Sequence, residues 1–161
     1  MADIKLLNEF YLFLERYENF YKEFLLLESE KYEIITRNEY RSLDVFIKEE
    51  QVYLLKSKGF ELQRDGYMKN LGNSDLTLRE LIEVISEAEI KNKFLELYKS
   101  LSDVLSKLKE ANRLCNFLIE LRLHKVEISL KKIENQPEMD IMYGPSFQDN
   151  RKPLNSLSKK V

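Results

Sequence analysis

Tryptophan is absent from this 161-residue chain, and histidine and cysteine occur once each, as His124 and Cys115. A single histidine excludes a His pair, a His-Cys cluster and the HExxH zinc pattern. It would leave any Ser-His-Asp triad dependent on one residue in a charged helix. A single cysteine excludes an internal disulfide. The only prolines, Pro137, Pro145 and Pro153, lie in the last 25 residues, and three of the four glycines fall between Gly59 and Gly72. Little therefore interrupts a helix before residue 136. Apolar runs are short: Phe24 to Leu27 is far below the roughly 20 residues that a bilayer span needs. The start Met1-Ala-Asp-Ile-Lys lacks the basic, apolar and small-residue regions of a signal peptide, so a cytoplasmic location is expected. An excess of charge of one sign is also missing. Lys+Arg of 26 against Asp+Glu of 28 leaves -2, which gives no field to draw the chain onto nucleic acid or an acidic membrane. No GxxxxGK[ST] or GxGxxG loop is present, and Glu49-Glu50 reads as a solvated pair without the repeated ExxH spacing of a bundle metal site. No cofactor, metal or catalytic residue is expected.

What is present is helical periodicity. With 43% hydrophobic and 34% charged residues, the chain has the balance of one folded helical domain. From Leu7, the residues Phe10, Leu14, Tyr17, Tyr21 and Phe24 recur in steps of three and four, which predicts a first helix from about Asp3 to about Thr36. A second helix is expected after Asn38, read as its N-cap, with Leu43, Phe46, Ile47, Tyr53 and Leu54 turned inward and fraying between Gly59 and Gly72. Gly72-Asn73-Ser74-Asp75 reads as a turn. Thr77-Leu-Arg-Glu80 then has capping-box spacing and predicts a short helix from about Leu78 to Ile85. Ser86-Glu-Ala-Glu89 repeats that spacing and opens a final helix running to about Glu134, roughly 70 Å long. Its stripe of Ile90, Phe94, Leu97, Leu101, Val104, Leu108, Ala111, Cys115 and Leu118 has the 4-3 alternation of knobs-into-holes packing. Cys115 in that stripe is a small core hydrophobe. Beyond Leu118 the pattern blurs, with Leu121, Leu123, Val126, Ile128 and Leu130 spread around the helix, as if that end awaits a partner.

The expected fold is all-α, an antiparallel, coiled-coil-like bundle of long helices over residues 1–135, followed by a flexible tail over 136–161. Inside the tail, Met139-Asp-Ile-Met-Tyr-Gly-Pro-Ser-Phe147 concentrates large apolar side chains. It is either a binding segment or a stretch that packs back on the bundle. The 9 Tyr and 9 Phe could stack on single-stranded nucleic acid, but their spacing in the first helix is that of a core stripe and no basic cluster accompanies them.

In this order of elements, Leu108-Lys-Glu-Ala-Asn112-Arg-Leu-Cys-Asn116-Phe-Leu118 resembles the leucine and asparagine pattern in the last helix of the FlgN family of flagellar export chaperones. Tyr143-Gly144-Pro145 resembles that family's Tyr-Gly tail signature, and Asn38 to Leu43, through Glu50 to Leu55, is similar to the start of its second helix. The aromatic-heavy first helix and the long tail with Lys152, Lys159 and Lys160 depart from the family. The resemblance implies a non-enzymatic chaperone that binds hook-associated proteins of the FlgK and FlgL type through their terminal helices, prevents early assembly and brings them to the export gate. On that reading Leu114, Leu118, Leu121, Val126 and Ile128, with Ile141, Met142 and Phe147, form the client surface, and Tyr143 docks on the export gate. The alternative is a self-associating coiled-coil protein, a homodimer paired through the stripe from Ile90 to Leu118.

Overall fold

The computed structural model describes residues 3–135 and contains four helices, α1 (Ile4–Thr36), α2 (Tyr40–Asn70), α3 (Leu78–Glu83) and α4 (Ala88–Glu134). No strand occurs among the described residues. The architecture is the expected all-α bundle, but the antiparallel packing expected holds for α1 and α2 only: the α4 stripe is buried against α1 running parallel to it. The segment from 136 onward, with Ile141, Met142, Tyr143 and Phe147, lies outside the described residues.

Helix α1 starts where Asp3 accepts a hydrogen bond from the Lys5 amide at 3.0 Å, satisfying a backbone donor that the first turn leaves open. It is apolar over far more than one stripe. Leu7, Phe10, Phe13, Leu14, Tyr17, Tyr21, Phe24 and Ile35 are all buried, because two helices cover it from different sides. α2 returns antiparallel to α1, and α4 runs parallel to α1, with Phe94 near Phe10 and Tyr11 at the start and Cys115 on the Glu28 carbonyl further along. Among the described residues, the backbones of α2 and α4 do not pack against one another. α1 is thus the spine on which both are mounted.

The α1 and α2 interface is aromatic. Tyr53, Phe60 and Tyr67 sit seven residues apart on α2 and interleave with Phe10, Phe13, Tyr17, Phe20 and Phe24. Ring centroids are 4.8 Å apart for Phe20 and Phe60 and 5.1 Å for Phe13 and Tyr67. Pairs of this kind add about 0.5–1.5 kcal/mol each beyond the apolar area they bury. That packing carries α2 unbroken through Gly59 and Gly66 to Asn70, where fraying was expected.

Two corrections concern the ends of helices. Asn38 does not cap α2; it ends α1. Its φ is 60°, its amide donates to Ile35 O at 3.2 Å, and the Glu39 amide donates to Ile34 O at 3.1 Å, the paired bonds of a Schellman ending. Gly72 (φ 77°) ends α2 in the same way, with bonds from Gly72 and Asn73 to Lys69 O and Met68 O. The capping box of Thr77 and Glu80 forms as expected, the Thr77 amide donating to Glu80 Oε2 at 2.7 Å. The one at Ser86 does not form. α4 is preceded by Glu87, without a side-chain cap, and Lys91 instead ties the junction by donating to Glu83 O at 3.2 Å.

A Cβ added at Gly59 or Gly66 meets no atom within 4 Å among the described residues, so neither glycine is required by its neighbours there. Gly59→Ala and Gly66→Ala are each expected to stabilise the fold by about 0.5–1 kcal/mol, by lowering the cost of an interior helix glycine. The check is a raised urea midpoint in dilute protein.

Candidate functional site

Among the described residues no group of three His, Cys, Asp or Glu is placed to hold a metal ion. His124 is exposed on α4, and Cys115 is fully buried, its thiol 3.6 Å from Glu28 O. An open depression on α1 and α2 is lined by Glu9, Leu12, Glu15, Arg16, Asn19 and Tyr67. What the molecule offers is surface.

The most distinctive surface is the far end of α4. Parallel contacts fix its register on α1: Phe94 lies by Phe10, Ser100 donates to Glu18 at 2.9 Å, Cys115 lies by Glu28, and Arg122 donates to Asn38. Asn38 lies beyond the last residue of α1, so α4 residues 123–134 project past the helix that seats the rest of it. At 1.5 Å per residue the overhang is roughly 18 Å. The 4-3 pattern that blurs at Leu118 resumes one residue later, as Ile119, Leu123, Val126, Leu130 and Ile133. These carry the core-facing side of α4 on past the end of α1. Phe117, Leu121, Leu123, Val126 and Ile128 are all exposed, Val126 to 54%.

Of the candidate residues on α4, Leu114 and Leu118 are half-buried, and Leu121 and Ile128 are exposed. These four share one side of the helix. Val126 stands roughly a third of a turn away, on the continued core side. The end of α4 therefore presents two apolar sides rather than one stripe. Sequence reading missed Ile119 and Ile133; the 4-3 spacing from Ile119 was the available signal, hidden because it is shifted by one residue from the preceding stripe.

Polar contacts hold the same end of the bundle. Lys31, fully buried, donates to Glu50 and lies 3.5 Å from Glu28. Glu50 is 5% exposed, which corrects its reading as a solvated residue. No residue of α2 before Glu50 is fully buried, so this cluster is the first firm attachment of α2 to α1. Burial, together with a hydrogen bond to the Glu50 carboxylate, pushes Glu28 up to about 8 against the opposing pull of Lys31. With Glu28 protonated, the cluster holds one cation and one anion and is neutral.

A model of the FlgN protein family matches residues 1–151. The chain belongs to the FlgN family. Searches among curated proteins and among solved structures return no match. FlgN proteins are flagellar export chaperones, a class whose work is binding rather than covalent chemistry, in keeping with a site made of exposed apolar helix. The matched span runs past Asn135 and takes in Ile141, Met142, Tyr143 and Phe147. No described helix is long and apolar enough to cross a membrane.

The Glu28 cluster gives this FlgN protein a defined pH response. A carboxyl that holds its proton more tightly when folded (about 8) than when unfolded (4.5) adds stability that is complete below about 4.5 and fades as pH rises through about 8. Unfolding by urea is expected to become easier from pH 5 to 8, and Glu28→Gln should flatten that slope and exceed the parent protein in stability at pH 8. Lys31→Met, by contrast, leaves the Glu50 carboxylate buried without its cation and should cost roughly 3–5 kcal/mol. Equal slopes for the parent and Glu28→Gln would refute the assignment.

Proposed function

We propose that this protein is a cytoplasmic chaperone that covers the terminal helices of hook-associated proteins before export, keeps them from assembling early and delivers them to the flagellar export gate. The observation that carries this reading is the overhang of α4, whose apolar side chains continue past α1 with nothing in the described chain against them. A client helix with an exposed apolar stripe polymerises or aggregates in solution, and an amphipathic rod masks it by packing side chain into groove. In this reading residues 1–135 form the folded body and 136–161 a tail. Leu114, Leu118, Leu121, Val126 and Ile128 contact the client together with Ile141, Met142 and Phe147, and Tyr143 docks on the gate. Ile119, Leu123, Leu130 and Ile133 belong to the same client surface.

Self-pairing through the α4 stripe is the weaker reading, because Phe94, Leu101 and Leu108 are already sealed against the core and would have to leave α1 to meet a second copy.

Leu121→Asp and Ile128→Asp lie on exposed positions, so they should leave helicity unchanged while weakening binding of a hook-associated protein's terminal helices by about tenfold or more. Calorimetry checks this, and unchanged affinity removes the assignment. Tyr143→Ala should bind client normally and lose affinity for the cytoplasmic domain of the export gate in the same assay. Normal gate binding by that variant rules out the role of Tyr143.

A further inference from the structure

The outer face of α2, turned away from α1, carries a line of uncovered apolar side chains. Val45, Val52, Leu55 and Leu62 are exposed to 56%, 51%, 71% and 73%. They follow one another at steps of seven, three and seven, which keeps them on one stripe of the helix, and Gly59 and Gly66 fall on that same stripe. The residues that hold α2 to α1, among them Tyr53, Phe60 and Met68, lie on the opposite side. Leu55 stands one turn before Gly59, and Leu62 one turn before Gly66. From Leu55 to Gly66 the stripe thus alternates ridges with notches, and the notches serve no neighbour among the described residues, since a Cβ at either glycine would touch nothing there.

We propose that this face is where two copies of the chain pair, α2 against α2, antiparallel about a two-fold axis. In such a pair the stripe fits itself when Leu55 sits over Gly66 of the second copy and Leu62 over its Gly59. Symmetry repeats both contacts, so Leu55 and Leu62 of each copy enter a notch, while Val45 and Val52 lie outside this ridge-and-notch segment. Charge favours the same register. It brings Lys58 beside Asp65 of the second copy on one flank, twice by symmetry, and Lys56 beside Gln63 on the other. Asp65, which also takes Arg64 at 3.4 Å, keeps its side chain 48% exposed. Sliding by one step of the stripe, so that Leu55 meets Gly59 instead, sets Lys56 against Lys56 and Lys58 against Lys58 of the second copy. Shape and charge therefore select one alignment between them. The pairing uses the side of α2 away from α1, leaves the end of α4 uncovered and does not depend on what α4 binds.

Sedimentation velocity of the full chain from low to high micromolar concentration tests this directly. A reversible monomer–dimer equilibrium is expected, and Leu62→Glu should weaken it at least about tenfold with an unchanged helical spectrum. Lys58→Glu and Asp65→Lys should each weaken association alone, while an equimolar mixture of the two should restore it, because the mixed pair recovers both opposite-charge contacts. A chain that stays monomeric throughout, a Leu62→Glu protein that pairs as tightly as the parent, or a mixture no tighter than its components would each overturn the proposal. Leu62 contributes nothing to the core, so that arm stands even if Asp65→Lys fails to fold.

Discussion

The two long helices α2 and α4 are both mounted on α1. Its burial on two sides, against the aromatic row of α2 and the aliphatic stripe of α4, is the one packing arrangement that no other element replaces. A helix buried on one side only needs a stripe about 100° wide, whereas α1 carries apolar side chains at almost every inward step from Leu7 to Ile35. Among the described residues the backbones of α2 and α4 do not approach one another, so the seating of α2 depends on its contact with α1. The aromatic residues of α1 and α2 make sense in these terms. Large flat rings span the gap between two helices and fix α2 without help from a third.

The security of those contacts falls along the molecule. Near the start of α1, where Phe10, Phe13, Tyr67 and Phe94 meet, the core is aromatic and apolar. Toward the end of α1 the contacts become polar: Glu28, Lys31 and Glu50 in one cluster, Asn38 and Arg122 in another. A buried ion cluster adds little net stability over an apolar replacement, because desolvation offsets most of the attraction, but it penalises misalignment heavily. Such a cluster fixes how α2 meets α1 at the end where apolar packing runs out. Beyond it, among the described residues, α4 continues alone.

The helices themselves were legible in the sequence, since proline is absent before residue 137 and the apolar steps of α1 and α4 keep strict helical spacing. What was not legible depended on partners distant in the chain. Glu50 reads as solvated because its cation, Lys31, is 19 residues away on another helix. Asn38 favours both the start of a helix and the left-handed residue that ends one, and only the bonds to Ile34 and Ile35 decide between them. Gly59 and Gly66 predict fraying by propensity alone, and the packing of Phe60, Tyr67 and Met68 on α1 outweighs it. The candidate site was half legible. Exposed apolar residues beyond Leu118 were visible in the sequence, but their division into two sides and the absence of a neighbour required the register of α4 on α1.

That register also explains how the end of α4 can be both helical and unsatisfied. A separate helix of this length would be marginal in water, because nucleating the first turn is costly. Here nucleation is already supplied by the seated portion from Phe94 to Cys115, so residues 123–134 need only propagate a helix that exists. Propagation alone holds a shape without deep stability, since the apolar side chains on two sides still face water. A partner helix laid along them would supply the packing that α1 provides lower down, and the overhang would become as firm as the rest of α4. The proposed client surface is then also a segment without support from α1, and for one reason: α1 stops and α4 does not.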